Sequence, residues 1–113
     1  MPRRNPDWCD SNMAQIEMCS MDLLLGDATR SVNGTTMHFR GRAVLAASLK
    51  LLGTLGLADA TAVVVTGETH AGTAAVLNAD FIGEQLREIA PNLKTYKVLP
   101  VGDRVRAALS YAI

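Results

Sequence analysis

Apolar residues recur along the chain at spacings that predict helices alternating with short strands. From about Phe39 to Leu55, leucines recur at i, i+4 and i+7, which places them on one face of a helix that Gly53 and Gly56 end. A second helical pattern with the same spacing runs up to Pro91, which cannot continue a helix. The two apolar sets are Leu45, Leu49 and Leu52, and then Ala75, Ala79, Ile82, Leu86 and Ile89.

Two short runs next to these helices predict strands. "TAVVVT", residues 61–66, is β-branched and bounded by turn residues, as is typical of a buried strand, and "KTYKVLP", residues 94–100, predicts a second one. Because helices that alternate with apolar strands favour a parallel sheet with right-handed crossovers, we expect Val63–Thr66 and Lys94–Leu99 to be neighbouring parallel strands. The helix from about Thr73 to Ala90 would cross between them.

The two ends of the chain predict less regular structure. "DRVRAALSYAI" predicts a last helix with Asp103 as its N-cap, whereas residues 1–14 are polar and rich in turn formers, so we expect an irregular segment. "QIEMC", residues 15–19, alternates polar and apolar positions and predicts an edge strand. "DATRSVNGTT", residues 27–36, predicts a loop with a turn at "VNGT"; its Asn33-Gly34-Thr35 is also a glycosylation acceptor pattern, which matters only in an exported chain.

These elements place the chain in the α/β class, as one domain over residues 1–113 with a small, mainly parallel sheet and crossover helices. With 113 residues, of which 49% are hydrophobic and 19% charged, the chain is able to bury a core. Two or three parallel strands leave the edges of the sheet open, so we expect marginal stability and self-association.

Charge and the lack of a long apolar run limit the partners of the chain. Eleven basic and 11 acidic residues give a formal net charge of zero, which argues against a nucleic acid or an anionic membrane held by bulk charge. Arg40 and Arg42, the densest internal basic pair, are expected at a solvated helix start. No apolar run spans a bilayer and no secretory signal begins the chain, so we expect a cytoplasmic protein as it stands, or a secreted one if it is a piece of a longer chain.

Cysteines and histidines give no sign of a metal or cofactor site. Cys9 and Cys19 are too few for a disulfide scaffold or a zinc site, and we expect two buried thiols; a bridge between them requires an exported chain. His38 and His70 are far apart in sequence, so their spacing does not indicate a metal site. We expect no metal and no cofactor.

The stretch Gly67-Glu68-Thr69-His70-Ala71 follows a predicted strand, where function collects in such folds. In the frame G-x-S-x-G of a nucleophile elbow, Thr69 takes the nucleophile position and Ala71 the place of the last glycine. Backbone amides at the helix start could instead bind an anion, although "GETHAGT" lacks the lysine of a phosphate loop. The third interpretation is a plain strand-to-helix turn capped by Thr69 or Thr73.

An ordered set of phrases resembles the central segment of the pectinacetylesterase/Notum family of α/β-hydrolase-type carboxylesterases. In chain order these phrases are "NPDW", "MCSMDLLLGD", "NGT", "HFRG", "GL", "TG", "LNAD", "EQL" and "YKVLP". The similarity extends from about Asn5 to Pro100. It implies a partial α/β-hydrolase fold, carboxylesterase ancestry, and a small ester or an acylated polysaccharide as the substrate.

The resemblance also implies roles for single residues. The family's elbow reads G-C-S-A-G-G, which aligns its serine with Thr69 and its cysteine with Glu68. Thr69 then stands at the nucleophile position and the His70 backbone amide is one oxyanion donor, with Gly67 and Glu68 as possible binding positions. Asp22 matches the aspartate of a "CSxD" phrase near the family's active site, and it is equally suited to cap a turn.

The chain departs from the family at the catalytic machinery. Threonine replaces serine, and no segment matches the oxyanion glycine loop or the triad Asp and His, which in the family lie before and after the matching segment. His38 and His70 are better interpreted as structural or solvated histidines than as the base. We therefore expect a carboxylesterase fragment that is inactive as an isolated chain. The alternatives are a non-enzymatic homologue that binds a partner, and a small anion-binding α/β domain.

Overall fold

The computed structural model describes residues 9–101 and 108–112, which form two sheets and three α-helices. The elements, in chain order, are β1 (Asn12–Ala14), β2 (Ala28–Val32), β3 (Thr35–Phe39), α1 (Gly41–Thr54), a 3₁₀ turn (Leu57–Asp59), β4 (Ala62–Glu68), α2 (His70–Leu77), α3 (Ala79–Ile89), β5 (Thr95–Val101) and β6 (Ala108–Ala112). The main sheet has the strand order β1-β6-β4-β5, and β2 and β3 form a separate pair.

β4 and β5 are neighbouring parallel strands, as the sequence predicts. Their register pairs Ala62 with Thr95 at one end and Glu68 with Val101 at the other. The connection between the two strands carries α2 and α3, which is the predicted helical crossover. The α/β class and its parallel pair are thereby confirmed.

The other edge of β4 is covered by an antiparallel strand, which overturns the prediction of a C-terminal helix. β6 pairs with β4 from Ala62↔Ala112 to Thr66↔Ala108. A central strand has backbone donors and acceptors on both edges, and satisfying them outweighs the helix propensity of the local sequence. The main sheet is therefore mixed rather than mainly parallel. Asp103, the predicted N-cap, lies outside the described residues.

The first strand lies upstream of its predicted place. Asn12–Ala14 pairs antiparallel with β6, with Asn12 opposite Tyr111. Residues 15–19 form no strand, so the edge-strand prediction for "QIEMC" is wrong. The end of the segment that we expected to be irregular is ordered by this pairing, because an alternating pattern marks a half-exposed stretch but does not say where a partner strand reaches it.

The segment predicted as a loop is mostly a β-hairpin. β2 and β3 pair from Ala28↔Phe39 to Val32↔Thr35 around two residues. Asn33 (φ 49°) and Gly34 (φ 75°) both have positive φ, as a type I′ turn requires, and Asn-Gly is the dipeptide that this turn favours. The predicted turn is confirmed, and the flanking strands escaped prediction because both are largely polar and exposed.

One hydrophobic core joins α1, β4, α2 and α3. Leu45 and Leu49 of α1, Val63 of β4 and Leu86 of α3 are fully buried in it. Tyr96 packs against the same core. No helix in the described part of the chain is long and apolar enough to cross a membrane.

The hydroxyl of Tyr96 is held at the edge of this core. It donates a hydrogen bond to the Ala79 carbonyl oxygen at 2.8 Å. Burial, together with the nearby Asp80 carboxylate, raises the pKa of Tyr96 to about 12. The phenol is therefore a neutral donor that ties β5 to the start of α3.

Both cysteines and Arg42 lie in environments that differ from the expected ones, whereas Arg40 is exposed as expected. Cys9 and Cys19 are both exposed, so the expectation of buried thiols is wrong. Arg40 is exposed and pairs with Asp27, but the Arg42 guanidinium lies over the Phe81 ring, 4.2 Å from its centroid, with Nη1 buried. Stacking on an aromatic face stabilises a cation, so the half-buried Arg42 links α1 to α3 and is only partly solvated.

The second helical pattern is two helices rather than one. Asn78 separates α2 from α3 with φ −99° and ψ 4°. Its side-chain amide donates to the Ala74 carbonyl oxygen at 2.8 Å and to the Leu23 carbonyl oxygen at 2.9 Å. A side chain that bonds the preceding turn of its own helix competes with the regular backbone pattern, which accounts for the break.

Truncation of Leu49 is expected to destabilise the chain strongly. Leu49 is 0% exposed in the core, and Leu→Ala at such a site costs about 2–5 kcal/mol through lost burial and the cavity left behind. Leu77→Ala is the matched control on α2, because Leu77 is 52% exposed and its truncation should change stability by less than about 0.5 kcal/mol. Urea unfolding of both variants measures the difference, and similar losses would contradict the described packing of α1.

Candidate functional site

A single residue connects β4 to α2. β4 ends at Glu68 and α2 begins at His70, so the chain reverses at Thr69, whose backbone has φ 51° and ψ −119°. These angles are those of the first central residue of a type II′ turn, a conformation dominated by glycine. For a β-branched residue a positive φ is a genuine outlier and costs about 1–3 kcal/mol. The turn is therefore sharp and strained.

Two glycines let the strand and the helix approach each other at this turn. A Cβ atom on Gly67 would lie 2.7 Å from the Gly72 backbone nitrogen and closer still to the Ala71 carbonyl. A Cβ on Gly72 would lie 2.6 Å from the Gly67 carbonyl oxygen. Both contacts are with backbone atoms, which cannot move aside cheaply. Ala71, at the last glycine position of the G-x-S-x-G frame, accommodates its methyl group in the core at 5% exposure.

The side chain of Thr69 is exposed and does not cap α2. The Thr69 hydroxyl makes no capping hydrogen bond to the first turn of the helix. The contacts run the other way, because the backbone amide and hydroxyl of Thr73 both donate to the Thr69 carbonyl oxygen, at 3.1 and 3.3 Å. The interpretation of Thr69 as a capping side chain is wrong, and its hydroxyl stands at the tip of the turn, open to solvent.

The two histidines are not arranged as a base for this hydroxyl. His70 is the first residue of α2 and is exposed. His38 lies on β3, where its Nδ1 is 3.2 Å from Thr29 Oγ1. Within residues 9–101, neither imidazole has a hydrogen bond to Thr69. Glu68, half-buried at the end of β4, is opposite Val101 in the sheet register.

Asp22 lies at the start of α1. Its Oδ2 accepts a hydrogen bond from the Gly41 amide at 2.9 Å, and its Oδ1 accepts one from the Leu24 amide at 3.1 Å. Burial is the largest single influence and raises the pKa of this carboxyl, but hydrogen bonds from Gly41, Ser20 and Leu24 together hold the pKa below its ordinary value of 3.8. A carboxylate is favoured at this place because the helix N-terminus presents unpaired amides and a partial positive charge.

Strain is concentrated in the loop that carries Asp22. Met21, Leu23 and Leu24 all have positive φ, at 52°, 55° and 60°. Such angles persist only where the surroundings fix them, and here the Asp22 carboxylate fixes one side of the loop and Asn78 binds the Leu23 carbonyl on the other. Asn78 thus joins this loop to the helix that begins at the candidate site.

The sequence predicts the turn at Thr69 but not the role of Asn78, which ties the loop of residues 21–24 to the end of α2. Gly67, Thr69 and His70 lie together, as the frame predicts, and Asp22 contacts α1 rather than any of these three. In the sequence, Asn78 stands out only as part of the family phrase "LNAD". One feature of the sequence does point to a role for Asn78: asparagine is unfavourable in the middle of a helical pattern unless its side chain has a specific partner. Among the described residues, no three His, Cys, Asp or Glu side chains gather in a way that could hold a metal ion.

Replacing Asp22 by asparagine should cost about 1 kcal/mol at neutral pH, because an amide has one acceptor oxygen whereas the carboxylate accepts from both the Gly41 and the Leu24 amides. Since the folded-state pKa of Asp22 is lowered, the stabilisation by its charge is fully present above the ordinary value of 3.8 and is lost as pH falls through the folded-state pKa. The gap between wild type and Asp22→Asn should thus be constant from pH 7 to pH 5 and shrink below about pH 4. Urea unfolding at pH 7, 5 and 3 measures it; an undiminished gap at pH 3 would contradict a role for the charge.

Replacing Thr69 by glycine should stabilise the chain. Glycine adopts the φ and ψ of this position without strain, so the gain, after the larger entropy of the unfolded chain is subtracted, is about 1 kcal/mol. For a domain of this size that raises Tm by about 4–8 °C. Thr73→Gly, four residues further into α2, is the control and should lower Tm. Thermal unfolding with Thr69→Gly below wild type would mean that the turn is not strained at this residue.

Comparison with known proteins agrees with the resemblance seen in the sequence. The family model described as pectinacetylesterase matches residues 1–101. The palmitoleoyl-protein carboxylesterase notum1a of Danio rerio is 32% identical over 89 residues, which are 79% of this chain and 18% of that protein. NOTUM of Homo sapiens is 31% identical over 88 residues, 78% of this chain and 18% of that protein.

A plant relative matches a similar stretch. Pectin acetylesterase 5 of Arabidopsis thaliana is 28% identical over 86 residues, 75% of this chain and 20% of that protein. No solved structure matches the chain. The chain thus spans about a fifth of the length of the curated relatives it matches. With a family model matched over residues 1–101, the chain belongs to the pectinacetylesterase family.

Proposed function

We propose that this chain provides the nucleophile-elbow segment of a carboxylesterase and hydrolyses esters slowly or not at all by itself. The observation that carries the proposal is the backbone of Thr69, which has φ 51° and ψ −119° although its side chain is β-branched. A strained turn between a strand and a helix is the arrangement that exposes the nucleophile at the top of an α/β-hydrolase sheet. The tight packing of Gly67 against Gly72 supports the same interpretation.

The elbow alone provides only part of an esterase mechanism. In ester hydrolysis a hydroxyl attacks the acyl carbonyl, a base removes its proton, and backbone amides stabilise the oxyanion. Thr69 would provide the hydroxyl and the His70 amide one oxyanion donor. In the described part of the chain, no imidazole or carboxylate hydrogen-bonds to that hydroxyl, and an unactivated hydroxyl is a weak nucleophile.

The names of the relatives narrow the class of substrate. One group is named for removal of palmitoleoyl groups from protein and another for pectin acetyl esters. Both are carboxylic esters. We therefore propose a carboxylic ester, such as a small ester or an acylated polysaccharide, as the substrate class of the site to which this chain contributes. Gly67 and Glu68 border the position that the acyl group would take, whereas Asp22 has a structural role at α1.

Ester hydrolysis by the purified chain should be close to the uncatalysed rate. Losing a triad while an oxyanion hole remains leaves about 10³- to 10⁴-fold catalysis over water, and this chain offers one identified oxyanion donor. The test compares wild type, Thr69→Ala and Thr69→Ser with p-nitrophenyl acetate at equal concentration. We expect all three to be alike, because a serine without a base gains little. Robust turnover by wild type that Thr69→Ala abolishes would show that Thr69 is a working nucleophile.

The alternative of a partner-binding module is favoured by exposed apolar side chains. Leu51 of α1 and Leu55, which directly follows the helix, are 59% and 63% exposed and four residues apart. Met21, in the strained loop, is 87% exposed. Apolar side chains that cluster on one helical face commonly mark a contact surface, and we propose that it mediates self-association.

Self-association through α1 should depend on these leucines. Sedimentation of wild type is expected to give an average mass that rises with concentration, and Leu51→Gln combined with Leu55→Gln should return the chain to a monomer, since glutamine keeps the helix propensity and removes the apolar contact. Val76→Gln with Leu77→Gln is the matched control on exposed positions of α2. A wild type that remains monomeric, or equal effects of both double variants, would contradict association through α1.

A further inference from the structure

The segment between β1 and the β2–β3 hairpin, residues 15–25, lies against the core as a strap without regular secondary structure. Both of its ends are anchored. Ala14 pairs with Leu109 in the main sheet, and the Gly26 carbonyl oxygen accepts a hydrogen bond from the Arg42 amide at 3.1 Å. Any motion of the strap is therefore bounded by these two anchors.

The inner side of the strap closes an apolar cleft. Ile16, Met18 and Leu24 of the strap line this cleft, whose enclosed volume is about 40 Å³. The facing walls come mainly from β4 and from α2, the helix that follows the elbow, and include Val65 and Ala74. A displaced strap would thus expose apolar surface of the elbow helix and of the strand before it.

Two side chains join the strap to the helices by hydrogen bonds within residues 9–101. The Asp22 carboxylate accepts from the Gly41 amide at the start of α1, at 2.9 Å, and the Asn78 side-chain amide donates to the Leu23 carbonyl oxygen, also at 2.9 Å. In the described structure, hydrogen bonds therefore hold the strap to the helices at positions 22 and 23 and not along residues 15–20.

The backbone of the strap opposes its closed position. Met21, Leu23 and Leu24 have φ of 52°, 55° and 60°, in the left-handed region that is costly for residues with a Cβ atom. Burial of Leu24, which is 7% exposed, acts in the opposite direction, together with partial burial of Ile16 and Met18. Strain at three residues is comparable in size to the gain from burying one large apolar side chain. Opening the strap should therefore cost much less than unfolding the core.

We propose that the strap is a gate that opens while the core stays folded and exposes the apolar walls of α2 and β4 beneath it. Segments with few hydrogen bonds and little net burial open locally at a lower cost than global unfolding. The closed strap limits the cleft to about 40 Å³, and the open strap admits apolar groups that the closed cleft excludes. The gate does not depend on ester hydrolysis by this chain.

Native-state hydrogen exchange, followed by NMR at urea concentrations below the unfolding transition, tests the gate. The Leu24 and Leu25 amides, which bond within the strap, report on its opening, and the Val65 amide, in the centre of β4, reports on global unfolding. We expect the strap amides to be at least about tenfold less protected than Val65 and almost insensitive to urea, because a local opening exposes little surface. Equal protection and equal urea dependence would overturn the proposal.

Two glycine variants separate the gate from general stability. Met21→Gly relieves strain at a residue that is 87% exposed, and it should slow exchange at Leu24 and Leu25 by about three- to fivefold. Thr69→Gly, the same change at a positive φ outside the strap, should leave these two amides unchanged, since the elbow stays folded when the strap opens. Exchange that Met21→Gly does not slow, or that both variants slow equally, would show that the strap opens only with the whole fold.

A thiol in the wall of the cleft tests whether the opening reaches it. Ala74 is 3% exposed, and Ala74→Cys in a background of Cys9→Ser and Cys19→Ser provides a single thiol there. We expect iodoacetamide to label it without urea, and Met21→Gly to slow labelling by the same factor as the exchange. Labelling that Met21→Gly does not change would overturn the gate. If Ala74→Cys does not fold, which its amide spectrum reveals, the exchange comparison still decides.

Discussion

Backbone pairing along both edges of β4 is the constraint on which the rest of this structure depends. β5 satisfies one edge in parallel and β6 the other in antiparallel fashion, so the strand is fixed over its full length. Because this pairing fixes the position of β4, it also fixes the position of Glu68, its last residue, from which the chain must turn into α2. The reversal must then be completed in one residue, Thr69, and the glycines at 67 and 72 make that reversal sterically possible. Strain at Thr69 is thus maintained by the sheet.

The other side of the elbow helix is fixed by polar groups instead of strands. Asp22 anchors its loop to the first turn of α1, and Asn78 anchors the same loop to the end of α2. The loop needs both anchors, since its residues at 21, 23 and 24 have left-handed backbones that have no local stabilisation. One side chain, Asn78, therefore ends a helix and holds a loop, while its own Oδ1 is buried and has no hydrogen-bond partner among the described residues.

The sequence predicts the elements whose information is local. The leucine spacing of α1, the β-branched run of β4, the Asn-Gly turn and the frame around Thr69 all follow from neighbouring residues. The C-terminal segment does not, because "ALSYA" has helical propensity and becomes β6 only by pairing with a strand far away in the chain. The sequence does not predict the strands of the β2–β3 hairpin, because their residues are largely polar. The orphaned oxygen of Asn78 depends on how loop 21–24 folds over α2, which no spacing in the sequence encodes.

The pairing of β1 with β6 has a consequence for how the chain folds. Asn12 lies opposite Tyr111, so this contact joins residues separated by nearly the whole chain, whereas the β2–β3 hairpin and α1 close over a few residues. Closing a long loop costs more entropy than closing a short one, and contacts of large sequence separation slow the search for the native state. We therefore expect the hairpin and the helices to form before the β4–β5 pair, and the pairing of β1 with β6 to form last.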